Sequence, residues 1–205
     1  MEKILEIIVR YDVIVQDFIQ SHCKPAWLYS IMDFFAQKES ILVAVAIFVP
    51  FLAWKNWKKA LIMLALAGMS VGVANGVADV FKREIKRYRP LHVELSEEKK
   101  KSVNPRSFPS SHAANITAAV LVIWFAYPRM GIPVFVTAFF VCAGRLYLNK
   151  HYPTDVLVGC LLGAMSSITV LGVLRFASIR IALVREIRKI AFPCAEPVGP
   201  DLKRS

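Results

Sequence analysis

The chain reads as an all-α polytopic transmembrane helical bundle, with about five spans and an N-terminal amphipathic interfacial helix. Three observations carry that reading. Of its 205 residues, 56% are hydrophobic without glycine counted, whereas soluble domains reach only about 45–50% with glycine included. The net charge is nonetheless +11, so the charges must be segregated into loops and ends. The apolar residues fall in long runs without the alternation of barrel strands, and only helices or closed barrels satisfy backbone groups in lipid.

The N-terminal segment carries Glu2, Glu6, Arg10, Asp12 and Asp17, which interrupt any signal-peptide core, so no cleavable signal peptide is expected. Ile4, Ile8, Tyr11, Val15 and Phe18 recur at helical spacing, with Lys3, Glu6, Arg10 and Asp17 on the other side. That pattern suits a helix lying on the membrane surface, and equally one packed against the bundle. Apolar runs follow at 41–54, 60–81, 113–127, 133–148 and 156–174. Several are shorter than the ~20 residues of a full crossing, so flanks such as 32–40 are expected to extend the helices. The whole is read as one integral-membrane domain, 1–205: interfacial helices over 1–39, a transmembrane core over 40–174 that holds the site, and a basic cytoplasmic tail over 175–205.

With five spans, the Lys55–Lys59 turn and the tail carrying Arg175, Arg180, Arg185, Arg188 and Lys189 share a side, which the positive-inside rule makes cytoplasmic. The loop from Lys82 to Arg106 then faces out, although it too is basic, its cations being kept for function. Basic residues beside a bilayer favour anionic headgroups and phosphate-bearing substrates. Nucleic acid is not expected as a partner, because the cations flank apolar spans and form no aromatic-basic groove. The four cysteines, Cys23, Cys142, Cys160 and Cys194, lack metal-site spacing and read as small buried hydrophobes.

Three clusters at the ends of apolar runs hold the chemistry. The first is Lys82 with Arg89-Pro90. A spacing of seven residues puts Lys82 and Arg89 on one helical face, and Pro90 is expected to stop the helix. Taken alone, this cluster reads first as a snorkelling basic collar, with Arg83, Lys86 and Arg87 as further members. The second is Pro109-Ser110-Ser111-His112: Ser110 suits a helix cap, and the helix start that follows is a ready anion site. An ordinary capped helix with a water-facing His112 explains it equally well. The third is Arg145, His151 and Asp155, with Pro153 suited to the first turn of a new helix. A carboxylate in reach of one ring nitrogen fixes the tautomer and makes the other a better nucleophile. An Arg, a His and an Asp at membrane depth favour a functional role over a structural ion pair. Two histidines and an aspartate could ligate zinc, but the converging cations would repel a divalent ion and already supply the charge that Mg²⁺ brings to phosphoryl transfer. No metal or cofactor is expected.

These residues resemble the type-2 phosphatidic acid phosphatase superfamily of integral-membrane lipid phosphatases. Its pattern is Lys-x6-Arg-Pro, then Pro-Ser-Gly-His, then Ser-Arg-x5-His-x3-Asp. The chain matches with Lys82, Arg89 and Pro90, then Pro109, Ser110 and His112, then Arg145, His151 and Asp155. It departs at Ser111, where the family has Gly, and at Gly144, where it has Ser. The resemblance implies that His151 attacks phosphorus and forms a phosphohistidine, that Asp155 orients it, and that His112 protonates the leaving oxygen. It implies phosphate binding by Lys82, Arg89, Arg145 and the helix start at Ser110–Ser111. It further implies a bacterial inner-membrane enzyme whose site faces the periplasm. Undecaprenyl diphosphate, lipid A 1-phosphate and phosphatidylglycerol phosphate are the candidate substrates, and no obligate protein partner is expected. Two other classes stay open: a vanadate-dependent haloperoxidase-like enzyme, and a non-catalytic adaptor binding anionic lipid through its tail.

Overall fold

A computed structural model describes residues 2–23, 25–92, 96, 99, 103 and 105–191. They form α1 (Glu2–His22), α2 (Ala26–Ala36), α3 (Lys38–Ile85), α4 (Ser111–Ala126), α5 (Gly131–Tyr147) and α6 (Pro153–Ala191), with 3₁₀ turns at Pro90–His92 and Pro128–Met130. No strand occurs among the described residues, so the protein is the all-α bundle expected. Three stretches are long and apolar enough to cross a membrane: Asn56–His92, Pro128–Tyr147 and Pro153–Ser178. At 16 residues α4 is about 24 Å long, less than the ~30 Å hydrocarbon core. Met1–Val170 forms one compact unit, which holds all three clusters, and Leu171–Ser205 forms a second.

The Lys55–Lys59 turn is sharper than expected. One continuous helical stretch is broken at Asn56, whose backbone is extended (φ −162°, ψ 93°). The helix restarts at once because Asn56 Oδ1 accepts from the Lys59 N–H at 3.0 Å, the role of an N-cap. The run at 41–54 is helical in backbone, and most of its side chains lie outside the described residues.

Contacts fix which ends of the helices lie together. Lys59 Nζ sits 4.4 Å from the centre of the Tyr127 ring, and Ala60, Met63 and Val122 form a buried cluster beside Tyr127 and Met130. The Asn56 break and the Pro128 turn therefore share one end of the bundle. At the other end Arg145 donates to the Ala36 carbonyl at 2.8 Å, and Ser110 N–H donates to the Asp155 carbonyl at 2.9 Å. The chain passes between these ends along both halves of α3, then α4, α5 and α6.

Small residues let these helices close up. A Cβ at Gly163 would lie 2.2 Å from the Ala114 carbonyl, and one at Gly159 2.5 Å from the Ser110 carbonyl. Gly159 and Gly163 thus form a Gly-x-x-x-Gly face that seats α6 on the buried Ala113, Ala114 and Ala118 of α4. Such faces replace the hydrophobic drive that helix pairs lack in lipid. Ser167 Oγ adds a bond to the Ala118 carbonyl at 2.9 Å. Gly163→Leu must push α6 off α4, and overpacking of this kind costs about 1–3 kcal/mol. The variant should unfold several degrees below the parent in detergent, and an unchanged midpoint would refute the close contact.

Candidate active site

The site is built around one buried carboxylate. Asp155 lies in the first turn of α6 and is 0% exposed. Its Oδ1 accepts from Arg87 Nη1 at 2.8 Å. Its Oδ2 accepts from Ser107 Oγ at 2.5 Å and from the Tyr152 N–H at 3.0 Å. His151 Nδ1 stands 3.6 Å from the same Oδ2, within ion-pair range and longer than a hydrogen bond. The His151 ring is itself buried, at 2% exposure. Burial pushes the imidazole below its ordinary value of 6.5, Asp155 opposes this, and Arg145 and Arg89 reinforce it. The net direction is downward, so the ring is neutral at pH 7 with one lone pair available.

Lys82 is on the last turn of α3, and its ammonium donates to Ser111 Oγ at the start of α4. Arg145, on the last turn of α5, is 5% exposed, and its Nε has no partner among the described residues. Arg89 is half-buried and acts electrostatically on Lys82, Arg145, Lys150 and His151. Arg89 and Arg145 therefore act on His151, and Lys82 lies within electrostatic reach of both arginines. Lys150 joins them, a cation that attention to the motif positions alone passed over. His112 is the second residue of α4 and is half-buried.

One expectation needs correction. Lys82 and Arg89 do not share a helical face. The helix ends at Ile85, five residues before Pro90, because Lys86 turns left-handed (φ 46°, ψ 42°). That turn swings Arg87 inward and pairs the Arg87 carbonyl with the Ser107 N–H at 2.9 Å. Arg87 is thus no collar residue. It stacks on Tyr152 at 4.0 Å and bonds Asp155, Thr154 and Asp12. Ser110 is fully buried: its Oγ accepts from the Ala113 N–H as a helix cap, and its N–H goes to the Asp155 carbonyl. It braces α4 against α6, and the Ser111 end of the helix is what faces Lys82. Gly144 is a packing residue. A Cβ there would lie 2.8 Å from the Met32 carbonyl, so a serine would collide with α2. The hydroxyl is missing because α2 passes too close.

Sequence reasoning missed Arg87, Ser107 and Asp12 as a connected set. The legible signal was the Asp12, Gln16, Gln20 spacing of four along α1. Asp12 and Gln16 are buried while Ile7, Tyr11, Ile14 and Phe18 are 54–65% exposed. The helix docks by its polar stripe and turns its apolar side outward.

The PAP2 superfamily profile matches residues 59–178, more than half of the chain and all three clusters. The chain belongs to the PAP2 superfamily. Among PAP2 and other lipid phosphatases, it is 38% identical over 100 residues to decaprenylphosphoryl-5-phosphoribose phosphatase of Mycobacterium tuberculosis, covering 48% of this chain and 54% of that protein. It is 27% identical over 135 residues to lipid A 1-phosphatase of Rhizobium etli, covering 62% and 56%. The chain thus spans about half the length of these curated relatives. LpxE of Aquifex aeolicus superposes with a TM-score of 0.60 at 20% identity, over 78% of this chain and 94% of that one. A transmembrane PAP2-type phosphatidylglycerolphosphate phosphatase of Bacillus subtilis gives 0.53 at 23%, over 85% and 97%. Both show the PAP2 fold. The profile match leaves α1, α2 and the first half of α3 outside it.

In this PAP2 site the buried imidazole should titrate below 6.5. Nitrogen-15 NMR of His151 in micelles, with His22, His92 and His112 replaced, checks this; a midpoint above 6.5 would show that Asp155 outweighs burial.

Proposed function

We infer that the protein is a membrane lipid phosphatase that removes a terminal phosphate through a phosphohistidine intermediate. The observation that carries this reading is the buried His151 ring held 3.6 Å from buried Asp155, with Arg89 and Arg145 acting on it and Lys82 in reach of both, at one end of a membrane bundle. The cations seat the phosphoryl oxygens, and Arg145 Nε has unused donor capacity for one of them. His151 Nε2 attacks phosphorus in line, the bond to the lipid oxygen breaks, and His112 gives that oxygen its proton. Asp155 stabilises the cationic ring that results. Water then attacks the phosphohistidine, His112 takes its proton, and inorganic phosphate leaves. Fixed cations aimed at a redistributing phosphoryl charge act without reorganisation at the moment of reaction. The same cations disfavour a divalent metal, so the reaction is read as metal-independent.

The substrate is an envelope lipid: undecaprenyl diphosphate, lipid A 1-phosphate or phosphatidylglycerol phosphate. These share a second phosphate beyond the one removed, as does the lipid named for the mycobacterial relative. A cavity of about 410 Å³ beside the site, lined by Lys82, Arg83, Lys86, Pro105 and Arg106, suits that second anion. The site is assigned to the outer, periplasmic face of a bacterial inner membrane.

His151→Ala should abolish phosphate release across a panel of lipid phosphates and prenyl diphosphates. Acid-labile ³²P should appear on the parent protein and not on the variant. Retained release would exclude His151 as nucleophile, and halide oxidation by the vanadate-loaded protein without phosphatase activity would favour the haloperoxidase reading. Release should also persist in EDTA. Loss that added Mg²⁺ or Zn²⁺ restores would overturn the all-cation clamp.

A further inference from the structure

The N-terminal helix reaches the catalytic pair although it lies outside the family match. Asp12 is 2% exposed and makes two kinds of contact. Its Oδ2 accepts from Arg87 Nη2 at 2.7 Å and from the Thr154 hydroxyl. Its Oδ1 accepts from the Thr154 N–H at 2.9 Å. The other arm of Arg87, Nη1, reaches Asp155 Oδ1 at 2.8 Å and Thr154 Oγ1 at 3.0 Å. One carboxylate therefore caps the first turn of α6, which carries Asp155, and holds the guanidinium that bonds Asp155. Acids at a helix N-terminus are favoured by its unsatisfied N–H groups.

The next turns of α1 hold the backbone on the other side of His151. Gln16 Nε2 donates to the Leu146 carbonyl at 2.8 Å and to Asn149 Oδ1 at 2.7 Å. Gln20 Nε2 donates to the Leu146 carbonyl at 3.1 Å. The turn 148–152, which carries His151, is thus pinned at both of its ends by residues spaced four apart on one helix. Asn149 sits in that turn with a left-handed backbone, φ 57°.

We propose that Asp12 is a positioning residue of the active site: through Arg87 and Thr154 it fixes Asp155, and hence the orientation of His151, making α1 a working part of the enzyme. The proposal rests on the reading of His151 as nucleophile. Electrostatically, Asp12 offsets part of the positive charge that Arg87 brings to Asp155. With that charge removed, Arg87 neutralises Asp155 more completely. His151, facing Asp155, Arg145 and Arg89, then becomes less basic and less nucleophilic.

Asp12→Asn in the full chain, assayed in lipid–detergent mixed micelles, tests this. The amide keeps the shape and an acceptor for Thr154. We expect kcat to fall about 10- to 100-fold, as when a group orienting a reactive ligand is lost, with KM within about threefold, the mark of lost transition-state interaction. The acid limb of kcat/KM should move to lower pH, and Asp12→Glu should recover part of the rate. A folded Asp12→Asn with parental kcat and an unmoved acid limb would overturn the proposal, even if its thermal midpoint drops. If Asp12→Asn does not fold, Thr154→Val, which deletes only the hydroxyl of the network, should lower kcat at unchanged KM; a parental kcat overturns it. His151→Ala separates the two failures. An active His151→Ala sinks the reading of the site, whereas an inactive one beside a parental Asp12→Asn sinks only the role of α1.

Discussion

A carboxylate with no solvent exposure, Asp155, is the constraint on which the rest of the structure depends. An isolated buried charge is costly, and breaking a buried pair by removing one partner costs about 3–5 kcal/mol. Asp155 is tolerated because donors converge on it from separate parts of the chain: Arg87 and Ser107 from the loop after α3, and the Tyr152 N–H from its own helix start. Its backbone carbonyl takes the Ser110 N–H from α4. Meeting those demands ties three segments into one place. Arg87 is in turn balanced by Asp12, so α1 is drawn in by the same need for charge balance.

Geometry had to make room for that convergence. Asp155, Gly159 and Gly163 succeed each other at intervals of four on α6, on one helical face. The glycines bring the backbone of α6 against the carbonyls of Ser110 and Ala114, and this close seat lets the Ser110 N–H reach Asp155. Gly144 does the same for α2 on α5, placing the Ala36 carbonyl under Arg145. Packing by small residues and assembly of charges are one design here. A larger residue at any of these glycines would move a side chain of the site as well as a helix.

Much of this was legible in the sequence, and the residues show why the rest was not. Apolar runs read out the helices, because lipid leaves the backbone no other choice. Pro153 marked the start of α6 and Ser110 the cap of α4, since each does a local job its chemistry announces. The Lys82–Arg89 register failed because a seven-residue spacing assumes a continuous helix, and the left-handed Lys86 ends it. That turn is set by Arg87 seeking Asp12 and Asp155, which are distant in sequence and invisible to periodicity. Arg87 sits among other cations and looks like one of a collar until its partner is known. The packing role of Gly144 was not legible because the approach of Met32 is a tertiary fact. The polar stripe of α1 was present in the spacing, yet a helix docking by its polar side inverts the rule learned from soluble proteins.

That inversion follows once the solvent is lipid. For a helix at a bilayer boundary, outward apolar residues cost nothing, whereas a polar group turned to hydrocarbon costs several kcal/mol. Asp12, Gln16 and Gln20 therefore find their partners on the protein. The same reasoning explains the cations on the other side of the site. Arg87 has its two carboxylates, but Lys82, Arg89 and Arg145 make no ion pair among the described residues. Positive charges left in that state repel one another, and helix packing with the Asp155 network holds them together. On the proposed reading an arriving phosphate relieves that repulsion, and a phosphoryl group in transfer relieves it while fixed donors need not rearrange. On the same reading the strain of the cations is borne by the scaffold in advance, and the anion that completes the charge balance is the one the neighbouring imidazole attacks.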